Sequence, residues 1–350
     1  MSKQVLISGG SGLIGRNIIK NLLNDFTVTK IIVLDNFISS NKFDFEKFKN
    51  RYDKTDKIVL FEYDICNFEL MEYVKINFPV DEIYHLACLA SPIFYKKFPL
   101  ETLDTSYIGT KNILEIARYQ SSEGTGYTQN RKVKVLFSST SEIYGDPSIS
   151  PQYENYYGNV NSFGERSCYD EGKRVAEALC YTYLKSYGVD IKIARIFNTY
   201  GPHMLLNDGR IITEVIRHLK NNTTLTIYGD GEQTRSLCHV LNTVDMLIKL
   251  MASDCNDPVN IGNNEELTIN EIVDTIEEVY NDYIDSINIG LKYPINNNKI
   301  ILKKQYVPLT QNDPLKRQPC LKVNKKVLGE QQYISIRDGV LSTIEYFFDN

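Results

Sequence analysis

The chain is expected to fold as an α/β protein, with a doubly wound parallel sheet of Rossmann type and a smaller α/β lobe interleaved with it in sequence. Three observations predict this. The chain opens on an apolar strand, a glycine-rich turn and an amphipathic helix. Apolar strands then keep alternating with helical periods through its first half. A late apolar run at 259–262 has the length and composition of a strand returning to the main sheet. Alternation of this kind favours parallel strands, because each crossover lays a helix on a face of the sheet.

Residues 4–8 form the first strand, followed by Gly9-Gly10-Ser11-Gly12-Leu13-Ile14-Gly15 and a helix carrying Ile18, Ile19, Leu22 and Leu23. That order is a dinucleotide-binding signature. Gly9 and Gly10 permit the tight turn, Gly12 lets a pyrophosphate approach the backbone, and Gly15 lets helix and strand lie close. The helix N-terminus supplies free N–H groups and a partial positive charge for phosphate. The second strand, 30–34, ends at Asp35, twenty residues past Gly15. A carboxylate there accepts from both ribose hydroxyls and repels a 2′-phosphate, so NAD is expected rather than NADP.

Further strands are expected at 58–63, 82–86 and 133–138. The first of these ends at Asp64-Ile65, where a carboxylate meets adenine; the second ends in Leu86-Ala87-Cys88-Leu89-Ala90, small enough to let a cofactor lie close. The cofactor set is therefore Gly9, Gly12, Leu13, Ile14, Gly15, Asp35, Asn36, Asp64, Ile65, Leu86 and Ala87, with Tyr169 and Lys173 added below. Two polar tracts, 119–132 and 281–304, lack an apolar period and read as surface loop and connection. Leu267, Ile269, Ile272, Ile276 and Val279 mark a helix over 267–280, and 334–347 ends the chain similarly. The strand-bearing unit is taken as 1–195 with a return segment at about 236–262, and the second lobe as 196–235 and 263–350.

Composition excludes several function classes. Of 350 residues, 42% are hydrophobic and 24% charged, ordinary for a soluble globular chain. A net charge of -5 gives no general attraction to nucleic acid or to an anionic membrane. The seven cysteines contain no CxxC pair and the four histidines no metal-ligand spacing, so reduced thiols, no metal and a cytoplasmic location are expected. Met1-Ser2-Lys3 leads straight into the first strand without a signal peptide, and no run approaches the ~20 apolar residues of a membrane span.

Tyr169 and Lys173 stand four residues apart, hence on one face if the segment is helical. A phenol has an ordinary pKa of about 10, and a neighbouring ammonium favours the phenolate, which can take a proton from a sugar hydroxyl. The strand over 133–138 runs into Ser138-Ser139-Thr140-Ser141-Glu142-Ile143-Tyr144-Gly145. Crevices of open α/β sheets lie at the carboxyl ends of strands, which puts these hydroxyls and one carboxylate beside the reacting group.

With the glycine turn and the Tyr169-Asp170-Glu171-Gly172-Lys173 helix, the chain resembles an extended short-chain dehydrogenase/reductase acting on nucleotide sugars, and within that superfamily the UDP-glucuronate decarboxylases (UDP-xylose synthases). The resemblance runs from residue 4 nearly to the end, through 139–147, 166–177, 194–202, 207–210, 233–236 and 313–317. It implies oxidation at C4 with Tyr169 as base and Lys173 holding the nicotinamide ribose and depressing the tyrosine pKa. Loss of carbon dioxide from the β-keto acid follows, then re-reduction by the bound cofactor.

Thr140 with Tyr169 would stabilise the enolate, Glu142 would manage protons at C5, and Ser141 would position the ring or carboxylate. Ser141 stands where related 4,6-dehydratases place an aspartate that protonates the leaving hydroxyl, a role too acidic for serine. Arg317 matches the arginine that meets the sugar carboxylate, which a planar guanidinium grips through two hydrogen bonds. Asn198, Arg210 and Arg235 would surround the diphosphate, Tyr228 the uracil and Tyr95 the sugar. A homodimer through a four-helix bundle of the segments around 105–119 and 169–187 is likewise implied. Alternatives are a UDP- or dTDP-glucose 4,6-dehydratase, a C4 epimerase, a decarboxylase releasing the 4-keto pentose, and a non-catalytic NAD-sensing protein.

Overall fold

The structure is a computed structural model that describes residues 2–122, 132–288, 299–308 and 316–349. The first half holds β1 (Lys3–Ser8), α1 (Leu13–Leu23), β2 (Val28–Asp35), α2 (Lys42–Tyr52), β3 (Ile58–Glu62), α3 (Phe68–Asn77) and β4 (Glu82–His85). Next come α4 (Pro92–Lys97), α5 (Pro99–Asp104), a π-helical turn at Thr105–Gly109, α6 (Thr110–Gln120), β5 (Lys134–Thr140) and a 3-10 turn at Ser141–Tyr144. Then follow α7 (Ser167–Tyr187), β6 (Asp190–Ile196), β7 (Thr199–Tyr200), α8 (Ile211–Asn221), β8 (Leu225–Tyr228), β9 (Thr234–Ser236) and β10 (Cys238–His239). The chain closes with α9 (Val240–Ala252), β11 (Val259–Ile261), β12 (Glu266–Thr268), α10 (Ile269–Asn288), β13 (Lys304–Val307), α11 (Lys322–Leu328) and α12 (Ile336–Asp349).

Seven strands form one sheet in the order β11-β6-β5-β4-β1-β2-β3, and every pairing in it is parallel. The sheet is doubly wound, with its direction of growth reversing between β1 and β4. Strands buried on both faces explain why 31–34 and 135–137 are unbroken apolar runs. The late strand β11 pairs with β6 in the main sheet, as its sequence predicts. Helices α1 and α9 cover one face and α3, α6 and α7 the other, giving two apolar layers. A third core, built on α8, α10 and α12, belongs to the smaller lobe. Helix α11 sits against β11 and α9, although its numbers fall in the 263–350 stretch expected for that lobe.

Two expectations are corrected. The polar tract 281–304 is not simply a connection, since α10 continues to Asn288 with Ile284 buried. Asn281, 8% exposed, explains it: its amide donates to the Ile300 carbonyl at 3.0 Å, and its oxygen accepts from the Ile300 N–H at 2.8 Å. The helical period expected from Leu267 begins two residues later, because 266–268 pairs antiparallel with β9. Residues 123–131 of the first polar tract, 289–298 of the second, and Asp313, Pro314 and Leu315 lie outside the described residues. Among the described residues no helix is long and apolar enough to cross a membrane.

Candidate active site

The crevice opens at the carboxyl ends of β1 and β4, where the sheet's direction of growth reverses. Gly9 has φ of +73°, and a Cβ there would lie 2.6 Å from the Ala87 nitrogen; a Cβ on Gly15 would lie 2.6 Å from the Gly9 carbonyl oxygen. Side chains are excluded by backbone on both sides of the turn. Gly12 is the N-cap of α1 and offers no side chain to it, which leaves the first-turn amides around Leu13 and Ile14 for an anion. Leu86 donates its N–H to Ser8 at 3.0 Å, so the small-residue end of β4 runs directly beside the glycine turn. This cradle fits the pyrophosphate of a dinucleotide.

Both carboxylates expected to face the cofactor are already engaged. Asp35 Oδ2 accepts from the Ser11 N–H at 2.9 Å and from its hydroxyl at 2.7 Å, while Oδ1 accepts from the Phe37 N–H at 2.9 Å. A ribose bound there would share Asp35 with the glycine turn. Asp64 accepts from the Asn36 amide at 2.9 Å and from the Cys66 N–H at 2.8 Å. Ile65 is buried and lies against Gly109.

Across the crevice, α7 carries Tyr169 and Lys173 on its inner face, 6% and 3% exposed. The lysine Nζ donates to the Ser138 carbonyl at 2.7 Å and lies 4.9 Å from the Phe137 ring centroid. Tyr169 stacks on Tyr95, centroids 5.3 Å apart and planes 12° apart, and meets the Thr140 hydroxyl. Here an expectation is corrected. Burial raises the Tyr169 pKa well above its ordinary value, helped by Cys88 and the Glu142 charge and opposed by the Thr140 hydrogen bond. Lys173 donates to the Ser138 carbonyl, and burial keeps the phenol neutral in the free protein. Tyr95 is 1% exposed, its hydroxyl has no partner, and burial pushes its pKa to about 12.

The turn after β5 is fixed from behind. Thr140 caps it by accepting from the Glu142 N–H at 3.2 Å, and Ser139 donates to Glu177. Arg195 grips Glu177 through two bonds of 3.0 and 2.8 Å and reaches the Tyr144 hydroxyl at 3.0 Å. Ser141 is 2% exposed at the start of the turn. Glu142 projects between two guanidiniums: Arg166 holds Oε2 and Arg317 holds Oε1. Arg317 is 7% exposed and points inward. Arg166 also lies 3.5 Å from Asp170 Oδ2.

Arg166 and Asp170 carried no role in the sequence reading. Their only signal was position, Arg166 one turn before Tyr169 and Asp170 four residues after Arg166. The pairing itself depends on where Glu142 lands. Asp170 is buried at 7% exposure, with Oδ1 lacking any partner. Burial, then the Glu142 charge, raise its pKa to about 7 against the pull of Arg166 and Arg317.

The residues expected at the nucleotide end are less closely gathered. Asn198 is half-buried just before β7, and its carbonyl accepts from the Cys238 N–H at 2.9 Å. Arg210 is turned onto Asp208 and reaches the Thr199 carbonyl at 3.3 Å. Ser91 donates to the Asp208 carbonyl at 2.8 Å, tying the two lobes together beside α4. Arg235 donates to the Thr234 carbonyl at 2.8 Å, and Tyr228 is 48% exposed on β8. Among the described residues no group of His, Cys, Asp and Glu is placed to hold a metal ion, and all seven cysteines are free thiols.

Comparison with known proteins places this geometry. A family model described as GDP-mannose 4,6 dehydratase matches residues 6–342. UDP-glucuronic acid decarboxylase 5 of Arabidopsis thaliana is 40% identical over 337 residues, 96% of this chain and 87% of that protein. UDP-glucuronic acid decarboxylase 1 of Danio rerio is 37% identical over 345 residues, 99% of this chain and 72% of that one. Among solved structures, UDP-glucose 4-epimerase of Thermotoga maritima, with UDP-glucose, superposes with a TM-score of 0.81 at 23% identity, covering 99% of each chain. UDP-glucuronic acid 4-epimerase of Bacillus cereus, with UDP-glucuronic acid and NAD, gives a TM-score of 0.79 at 20% identity over 99% of each chain. The structures share the fold; the match in sequence goes further, and the chain belongs to the GDP-mannose 4,6 dehydratase family of extended short-chain dehydrogenases/reductases, alongside proteins named UDP-glucuronic acid decarboxylase.

Proposed function

We propose that this protein converts UDP-glucuronate to UDP-xylose and carbon dioxide by transient oxidation at C4, with NAD as its bound cofactor. The observation that carries the reading is Arg317, buried and turned inward onto a carboxylate in the crevice. In the free protein Glu142 occupies that guanidinium, and the C6 carboxylate of the sugar takes its place on binding, through the paired geometry that suits Arg and carboxylate. The names of the relatives agree with this assignment.

Tyr169 accepts the 4-hydroxyl proton. Its neutral state in the free protein follows from burial; the positive charge of a bound nicotinamide would lower the cost of the phenolate. Bound NAD+ would supply the hydride chemistry at C4, in both directions. Lys173 orients the ribose while anchored on Ser138, and Tyr95, stacked on Tyr169 with an unpartnered hydroxyl, donates to the sugar. Thr140 and Tyr169 stabilise the enolate left when carbon dioxide departs. Ser141 orients the carboxylate, and Glu142 delivers the proton to C5. Asn198, Arg210, Arg235 and Tyr228 bind the UDP end, Arg210 after release from Asp208.

The molecule is further proposed to work as a homodimer. Leu103 and Tyr107 on one helical pair, and Val175 and Tyr181 on α7, are 40%, 48%, 40% and 62% exposed. The helices bearing them already pack on one another, with Gly172 against Ser106, and they offer one apolar face to a second copy.

The test is incubation of the purified protein with UDP-glucuronate and NAD+, with the sugar nucleotide identified by mass. Loss of carbon dioxide with NAD+ regenerated is expected. Unchanged UDP-glucuronate together with dehydration of UDP-glucose overturns the reading, and release of the 4-keto pentose with stoichiometric NADH removes its final step.

A further inference from the structure

Resting on the decarboxylase reading, a matter of proton balance remains. A carboxylate that leaves as carbon dioxide is replaced at C5 by hydrogen, so each turnover consumes one proton. Tyr169 does not supply it, because the proton it takes from the 4-hydroxyl is returned when C4 is reduced. Glu142 in the free protein is an anion held by two arginines and so carries no spare proton.

We infer that Asp170 is the proton store of this reaction: it holds the proton in the carboxylate-bound enzyme and passes it to Glu142, which gives it to C5. The geometry links the charges through two arginines. Glu142 and Asp170 share Arg166, with Arg317 on the far oxygen of Glu142. Asp170 Oδ2 faces Arg166, whereas Oδ1 is buried and meets no donor or acceptor, an exception that calls for a functional explanation.

Charge counting points the same way. Two arginines balance two carboxylates, and the substrate brings a third. With Glu142 and the substrate ionised, the set is neutral only if Asp170 is protonated. The groups facing Asp170 are Glu142 from the 3-10 turn, Arg166 from the start of α7, Arg317 from the C-terminal segment, Tyr95 from α4, and Cys168 and Tyr169 beside it. Within that set its proton is retained to about pH 7, well within the working range.

The step balances. The C5–C6 bond breaks and its electron pair enters the C4–C5 enolate. The Asp170 O–H bond breaks as its proton passes to Glu142, and the enolate carbon then takes that proton from Glu142, forming the C5–H bond. Glu142 is left as an anion, and Asp170 is reprotonated from solvent after product leaves. Asp170 touches no reacting atom, so it acts through Glu142 as a positioning and proton-supplying residue.

The experiment is steady-state turnover of UDP-glucuronate with NAD+ across pH, for the wild type and for Asp170→Asn. An amide matches protonated Asp170 in shape and charge but has no proton to give. Wild-type kcat should fall as pH rises through the ionisation of Asp170. In Asp170→Asn that basic limb should be absent, kcat at neutral pH about 10²-fold lower, and reduced cofactor should accumulate, because C4 oxidation precedes the slowed protonation. A folded variant that keeps the wild-type basic limb, or that forms no reduced cofactor, overturns the inference. Where Asp170→Asn does not fold, Asp170→Glu takes its place: a displaced midpoint of the limb supports the store and an unmoved one overturns it. If the wild type releases no carbon dioxide at all, it is the decarboxylase reading that has failed.

Discussion

At the scale of the residue, the site is a small set of charges whose meaning comes from burial. Arg317 binds Glu142 in the free protein and is 7% exposed, so its removal leaves a carboxylate with one partner and the sugar acid with none. Arg317→Ala is expected to reduce carbon dioxide release by about 10²–10³-fold, on the scale of a lost charge-assisted contact in a desolvated site, while reduced cofactor still forms in a single turnover. Arg317→Lys should recover only part, since an ammonium cannot span two oxygens. Equal loss of both readouts would remove the carboxylate-holding role. Asp170 makes a separate prediction about stability. It holds its proton more tightly folded than unfolded, so its contribution is complete below about pH 4 and is lost as pH rises through about 7. Asp170→Asn escapes that loss. Denaturant unfolding should find the variant more stable than wild type at pH 8, by on the order of 2–4 kcal/mol, and no more stable at pH 4.

At the scale of the element, the glycine turn shows how much of the site the sequence could reveal. Gly9 and Gly15 announce a turn under a helix N-terminus because only glycine tolerates backbone at 2.6 Å from where a Cβ would sit. Gly15→Ala should therefore weaken NAD+ binding at least ~10-fold and cost about 1–3 kcal/mol of stability through overpacking, read by calorimetry and thermal unfolding. Unchanged affinity would mean that the turn does not hold the pyrophosphate. The buried strands were legible for a similar reason: a parallel strand covered on both faces leaves an apolar run, as in Ile31, Ile32, Val33 and Leu34. The extension of α10 was not, because it depends on Asn281 meeting the Ile300 backbone nineteen residues on, a contact with no local signature. Arg166 was hidden for the same reason, its importance lying in a carboxylate twenty-four residues away. Lys173 was legible as a neighbour of Tyr169 by spacing alone, yet its bond to the Ser138 carbonyl was not.

At the scale of the whole molecule, α7 joins chemistry to assembly. Its inner face carries Tyr169, Asp170 and Lys173, all buried, and its outer face carries Val175 and Tyr181, both exposed. The neighbouring pair of helical segments adds Leu100, Leu103, Tyr107 and Ile108, again exposed. An exposed apolar strip of this kind is costly unless covered, and on the proposed homodimer a second copy related by a two-fold axis would cover it with the same residues. Burying a large apolar side chain is worth about 1.5–3 kcal/mol, and a carboxylate placed in the same contact adds an unpaired charge. The double substitution Leu103→Glu and Tyr181→Glu should thus raise the dimer dissociation constant by at least ~10², measured by sedimentation over a concentration series, with far-UV circular dichroism unchanged. Because the two faces belong to one rigid helix, dissociation is expected to lower kcat while leaving the pH dependence set by Asp170 in place. A wild-type protein that sediments as a monomer at every concentration would show that the strip is covered in some other way and that α7 serves the crevice alone.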